Sequence, residues 1–484
     1  MHNPSSPPSQ PDTGKIPDRS DLPASFQGIP FPEVRDLENP DSLDSDYANL
    51  DGDTSRTLPG GAGPGGAGPG SRRSPDPLLP VPGTRPDGIR VRPKPKEVQD
   101  RVKVLVSRAA RSLSLYSLGP AEIWADVPGK ASKAPGRKLV SLRGRFFVRR
   151  AGQGLEVTQA GKPLATVPGR RLRVVSPNPY NLIEAEGTVY RGGFNVLAEG
   201  QNELEAVNVL AMEDYLRGVL PYELGTVDRG ALEALKALAV VARTYAYKRM
   251  QAQANADFHL RSDVQDQVYK GVKAEYLLSD RAVRETQGMV LLHADTLALC
   301  YYHSTCGGRT ASRHELWGGD SIAYLVSRPD LDPAGNSWCQ GSKYSSWTQE
   351  WTLPELSAIV KRNLRYAGVA DPPAFKSISG MEVVSRAACG RIRLLRITTD
   401  RGPVMVKGDK VRWALKPSAD GDKILPSAWF DIRISGGQAV AEGKAFGHGI
   451  GLCQMGAIGR ARANQDFKRI VEAYYLGAQV TEYR

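Results

Sequence analysis

The run Gly60-Gly61-Ala62-Gly63-Pro64-Gly65-Gly66-Ala67-Gly68-Pro69-Gly70 carries no side chain larger than a proline ring, so this stretch cannot build a packed core. Ahead of it, residues 1 to 56 hold 11 acidic and 4 basic side chains without the apolar periodicity that a folded element needs. Behind it, Arg92-Pro93-Lys94-Pro95-Lys96 closes the segment. Residues 1–96 therefore read as a disordered tail, and folding is confined to residues 97–484.

This division also sorts the charge. Residues 1 to 56 contribute −7 to a chain whose formal charge is +12, which leaves +19 on the remainder. A basic body of that kind suits an anionic partner such as nucleic acid, a lipid surface or an acidic polysaccharide. Nucleic acid is disfavoured, because no helix-turn-helix, zinc-finger or stacked-aromatic signature occurs and only 7% of residues are aromatic. No run of about 18 apolar residues is present, so no transmembrane helix is expected. The opening Met1-His2-Asn3-Pro4-Ser5-Ser6-Pro7-Pro8 lacks the basic and apolar regions of a secretory signal, which taken alone points to the cytoplasm. Five cysteines, Cys300, Cys306, Cys339, Cys389 and Cys453, are too few and too unevenly spaced for a disulfide framework.

From Val102 the pattern becomes one of short alternating segments between Gly and Pro turns, which predicts strands at 102–106, 113–116, 146–148, 172–175 and 206–210. A short helix is expected at Met212-Glu213-Asp214-Tyr215-Leu216, with its acids at the positive end of the helix dipole. A long one follows over 231–246, where Leu232, Leu235, Ala239, Ala242 and Ala246 recur at helical spacing. Strands are predicted again at 289–292, 298–302 and from Glu382 to Ile434, with a helix near 353–364. The fold class is α+β: a strand-rich N-terminal part over 97–210, then a core over 211–480 that carries the motifs below.

The first of those motifs is Leu220-Pro221-Tyr222-Glu223-Leu224, a lone acid between two helices, beside a helix bearing Lys236 and Arg243. An acid so placed can transfer protons; it can equally be a solvated turn residue. Four further segments stand out: Asp263-Val264-Gln265-Asp266-Gln267-Val268-Tyr269-Lys270-Gly271, Tyr302-His303-Ser304-Thr305-Cys306-Gly307-Gly308, Glu315-Leu316-Trp317-Gly318-Gly319, and Gly447-His448-Gly449-Ile450-Gly451-Leu452-Cys453-Gln454-Met455-Gly456-Ala457.

With the stretch from Glu223 to Tyr245, these segments resemble, in order, the catalytic domain of the stage II sporulation protein D family, which includes amidase enhancers. The likeness runs from about Val102 to Tyr475. It implies a lytic transglycosylase that cleaves peptidoglycan glycan strands stripped of their stem peptides, leaving 1,6-anhydro-muramic acid ends, with Glu223 as acid and then base. The alternative it carries is a non-catalytic wall-binding protein that stimulates a cell-wall amidase. Either role implies the cell envelope, against the reading of the N-terminus. The sequence departs from the family's usual Glu-Met-Pro, having Glu223-Leu224-Gly225, with a spacer to the Ala-Arg-Thr-Tyr segment about two residues longer.

The resemblance further implies that Arg243 and Gln267 line the glycan groove, where an arginine could clamp the lactyl carboxylate of muramic acid. Ser304, Thr305, His448 and Gln454 offer hydrogen bonds to a sugar from glycine loops, although tight loop packing explains them as well. For Arg243 the competing reading is an ion pair with Glu233 or another helix acid. Catalysis of this kind requires no cofactor. A structural zinc is implied at Cys300, His303 and Cys306, which are spaced three apart, with His293 as the candidate fourth ligand. A Cys300–Cys306 disulfide or plain buried thiols fit the same spacing, and strand alternation would put His303 on the face opposite the two cysteines.

Overall fold

A computed structural model describes residues 89–92, 101–126, 136–418 and 423–483. The reading of a flexible N-terminal tail thus lies largely outside the described residues. One part of it is corrected: Arg90–Arg92 forms a strand that pairs in parallel with Gln479–Tyr483, and Ile89 is buried beside it. Pairing accordingly starts before residue 97, because a borrowed ladder and one buried isoleucine outweigh the proline-rich local sequence.

The N-terminal part is one large sheet, whose order runs Leu260–Arg261, Arg101–Ala110, Glu203–Ala211, Gly193–Glu199, Arg171–Val175, Ser112–Ala125, Arg137–Ala151, Gly154–Gln159 and Lys162–Val167. Alternation buries one face of each strand, as in Ser112–Ala125, where Leu113, Leu115, Ala121 and Ile123 are fully enclosed. Every strand predicted in this region is found, each longer than its apolar stretch because charged residues occupy the outward positions of the ladder.

Helix α1 (Met212–Leu224) leaves the strand Glu203–Ala211 without an intervening turn. The short helix expected at 212–216 runs on to Leu224. Pro221 stays inside the helix, Gly225 caps it by donating to the Pro221 carbonyl at 3.1 Å, and Glu223 therefore lies in the final turn rather than in a loop. Helix α2 (Leu232–Ala252) is buried on nearly all sides, packing Leu235, Leu238 and Ala242 toward the large sheet and Ala237, Val240 and Val241 toward a second core. Helix α3 (Leu277–Glu285) precedes the strand Met289–His293, which pairs with Gln479–Tyr483.

The second core also holds α4 (Arg313–Trp317) at its edge. A third core, around Trp351, Phe375 and Phe430, joins α5 (Leu353–Asn363) and α6 (Val411–Ala414) to two three-stranded antiparallel sheets. The chain then returns to the second core through α7 (Gln454–Arg462) and α8 (Phe467–Tyr474). Of the strand expected over 298–302, only Tyr302–His303 pairs, and it does so in parallel with Leu452–Cys453. That short ladder positions the site.

Candidate active site

Glu223 is delivered by α1, whose residues Leu216, Val219 and Leu220 are fully buried and fix the helix against the core. Its Oε1 accepts a hydrogen bond from the Val268 backbone N–H at 2.9 Å, and its Oε2 faces the Gln454 side-chain amide at 3.5 Å. The Tyr302 hydroxyl bonds the same carboxyl group. Burial raises the Glu223 pKa above its ordinary 4.5, and the hydrogen bonds from Val268, Tyr302 and Gln454 oppose that rise without cancelling it. The negative end of α1 disfavours the carboxylate in the same sense as burial.

Behind this carboxyl lies a buried polar chain. Tyr215 donates to Gln267 Oε1 at 3.0 Å, and Gln267 Nε2 donates to the Tyr302 hydroxyl at 3.0 Å. The Val268 amide owes its position to Asp266, which accepts from the Arg261 N–H and the Tyr245 hydroxyl at 2.9 and 2.8 Å and pairs with Arg249 at 2.9 Å. Gln454 owes its position to the ladder in which Tyr302 pairs with Leu452 and His303 with Cys453.

His448 lies in the neighbouring loop, its ring 5.5 Å from that of His303 and 4.9 Å from that of Trp317, which also meets Tyr301 edge-on at 5.0 Å. Burial lowers the His448 pKa to about 4, so the ring is neutral near pH 7 and its Nδ1 accepts from the Ile450 N–H at 3.0 Å. Gly449 is the pivot of this loop. Its φ is +82°, and a Cβ there would fall 2.3 Å from the buried Arg391 guanidinium. Trp317, beside His448, and Tyr222, next to Glu223 in α1, remain partly open to solvent at 41% and 38% exposure and provide flat apolar surface. A cleft of about 480 Å³ lined by Tyr245, Lys248, Arg249 and Tyr301 opens beside this cluster.

The sequence reading thus meets the structure residue by residue. Glu223, Gln267 and Gln454 converge. Arg243 does not join them: it is fully buried and forms a bidentate pair with Glu213 at 3.0 and 2.5 Å, with a third bond to the Met289 carbonyl. The ion-pair reading therefore replaces the groove reading, with Glu213 as partner; Glu233 is engaged instead by Lys236 and the Phe467 N–H. Thr305 is turned inward onto Ser342 at 2.7 Å, whereas Ser304 is half-buried and offers its hydroxyl to Thr305 at 3.2 Å.

The expected metal set is not assembled. Cys300 lies against Thr244, His293 stacks on Tyr324 at 4.6 Å, and His303 places Nδ1 3.2 Å from the Ile450 carbonyl. Cys306 instead meets Cys339 and Cys453. Tyr302, Tyr215 and the Val268 amide were not singled out from sequence as parts of the site. Tyr302 could have been, since it opens the quoted Tyr302-His303-Ser304-Thr305-Cys306 motif, but a backbone N–H carries no signal in a sequence.

The region that supplies both Glu223 and Gln267 is also the region recognised by comparison with known families, where the stage II sporulation protein family matches residues 200–293. Residues 200–293 form a stage II sporulation protein domain. A domain of unknown function (DUF8618) matches residues 334–451, which contain the third core. Relatives reach well past the stage II sporulation protein domain. An uncharacterized protein of Brachyspira hyodysenteriae is 29% identical over 57% of this chain and 68% of its own length. The amidase enhancer of Bacillus subtilis is 26% identical over 74% of this chain, which spans about half, 54%, of that protein. The stage II sporulation protein D of Bacillus amyloliquefaciens is 27% identical over 57% of this chain and 76% of its own.

Proposed function

We propose that the protein is a peptidoglycan lytic transglycosylase in which Glu223 is both acid and base. The observation that carries this reading is a carboxyl group with a raised pKa, held between the Val268 N–H and the Gln454 amide. Burial supplies the protonated form that the first step needs, transfer of a proton to the glycosidic oxygen as its bond to the sugar breaks. The three hydrogen-bond donors then stabilise the carboxylate so formed. That carboxylate takes a proton from the muramic acid 6-hydroxyl, whose oxygen closes onto the anomeric carbon. Because this nucleophile is tethered within the substrate, the second carboxylate of a hydrolytic glycosidase is unnecessary.

Trp317 and Tyr222 suit the faces of sugar rings, and Lys248 in the adjoining cleft takes over the carboxylate-binding role that the buried Arg243 cannot fill. Such a substrate places the protein in the cell envelope. No helix among the described residues is long and apolar enough to cross a membrane.

A second reading is favoured by one finding, the match to an amidase enhancer over 74% of this chain. Under it, the groove binds glycan and an amidase is the partner. Incubating the protein with stem-peptide-free glycan strands and analysing the products by mass spectrometry separates the two. Anhydro-muramic acid ends that disappear in Glu223→Gln support the lyase; glycan binding without such ends in the parent supports the enhancer.

A further inference from the structure

The strongest unassigned feature is the meeting of Cys306, Cys339 and Cys453, three buried thiols whose sulfur atoms all lie within 4.8 Å of one another. Their sequence separations are large, so three distant loops must converge to bring them together. Cys306 follows the strand Tyr302–His303, Cys339 lies in the loop entering the third-core region, and Cys453 caps α7. We propose that these three sulfurs hold a zinc ion, a ligand set that shares only Cys306 with the one implied by family resemblance.

Two observations support a metal rather than incidental packing. The first is spacing. Tetrahedral zinc with Zn–S of about 2.3 Å holds two sulfurs about 3.8 Å apart. Cys306 Sγ and Cys339 Sγ are separated by 3.6 Å.

The second is the ring of donors aimed at sulfur. The Gly308 N–H points at Cys306 Sγ at 3.3 Å, the Cys306 and Gly456 N–H groups point at Cys453 Sγ at 3.1 and 3.3 Å, and the Ser337 hydroxyl lies 3.0 Å from Cys339 Sγ. A neutral thiol is a weak acceptor, whereas a metal-bound thiolate is a strong one, and donors of this kind orient and tune the ligands of metal centres. Asp330 sits beside the cluster rather than in it. Only 1% exposed, its Oδ2 accepts from Cys306 Sγ at 3.2 Å and from the Tyr474 hydroxyl at 2.9 Å, and its Oδ1 is neutralised by Arg460 at 2.9 Å. The packing leaves no slack, since a Cβ on Gly456 would come within 2.5 Å of that same Oδ2.

Binding exchanges three S–H protons, released to solvent, for three S–Zn bonds, with no change in oxidation state. The consequence falls on the neighbouring residue. Gln454 directly follows Cys453, so a zinc that ties Cys453 to Cys306 and Cys339 also fixes the segment that presents Gln454 to Glu223.

The test uses the full chain, purified with a reductant and loaded with zinc or cobalt. We expect about one tightly held zinc ion per chain, and with cobalt the intense thiolate charge-transfer and visible d–d bands of a tetrahedral site. Cys339→Ser and Cys453→Ser should lose the metal, and Cys300→Ser and Cys389→Ser should keep it. Because the first two variants could unfold, the cobalt spectrum of the parent protein is read independently of them. Absence of those bands, unchanged zinc content in Cys339→Ser, or a Cys306–Cys339 disulfide in a peptide map of protein prepared without reductant would each overturn the assignment. None of these readouts depends on transglycosylase activity.

Discussion

Gln454 Nε2 stands 3.5 Å from Glu223 Oε2, although the two residues are 231 positions apart in the chain. One lies in the last turn of α1, the other in the first turn of α7, and Val268 and Tyr302 bring two further stretches of chain to the same carboxyl.

Replacing Glu223 by Gln preserves shape and removes the proton. Anhydro-sugar production should fall by about 10²–10⁴-fold. Stability should respond in the opposite direction. A buried acid with a raised pKa stabilises the folded state fully only below its unfolded pKa, near 4.5, and loses that contribution as pH rises through the folded value. Glu223→Gln should therefore match the parent near pH 4 and exceed it in melting temperature near pH 7, as measured by calorimetry across that range.

Tyr302→Phe removes one of the hydrogen bonds that lower the Glu223 pKa. The alkaline limb of the pH–rate profile should move to higher pH, and Gln454→Ala should move it the same way. An unshifted limb in both variants would show that Glu223 is not the group titrating.

Arg243 is fully buried and Glu213 27% exposed, so in this bidentate pair it is the loss of Glu213 that strands a buried charge. Glu213→Gln should cost about 3–5 kcal/mol in urea unfolding. The double variant Arg243→Met with Glu213→Gln should recover a substantial part of that loss. Glycan affinity of whatever protein remains folded should be unchanged, which a groove role for Arg243 would forbid.

Acid should weaken the fold through its histidines. Burial lowers the pKa of His259 and His448 to about 4 and pushes that of His303 down as well, from an ordinary 6.5. The unfolded chain then binds more protons than the folded one between about pH 6.5 and 4, and stability is lost as pH falls through that window. Melting temperatures should decline there, and the His448 ring resonances should show no titration above pH 5 in NMR spectra.

Gly449→Ala forces a Cβ into the Arg391 guanidinium at a φ of +82°. Backbone strain alone costs about 1–2 kcal/mol. The clash should add to it, and the His448 loop should lose protection in hydrogen exchange ahead of the large sheet.

Much of this was legible from residue order alone. Alternation gave the strands of the large sheet, because a half-buried ladder imposes a period of two that composition cannot hide. Helical spacing gave α2, and the five motifs singled out Glu223, Gln267 and Gln454. Local rules erred at Glu223, placed between two helices although the buried face of α1 carries the helix through Pro221 to Leu224, and at residues 90–92, where the pairing partner lies at the opposite end of the chain.

What residue order could not supply were the pairings. Arg243 reads equally well as a groove cation or as half of an ion pair, and only the approach of Glu213 from α1 decides between them. Cys300 and Cys306 are close in sequence and Cys339 and Cys453 are not, yet it is the distant pair that joins Cys306. Side-chain type and period are properties of a segment, and the chain states them directly. The distance between segments depends on how the large-sheet core and the second core pack on α2, and only the folded molecule determines it.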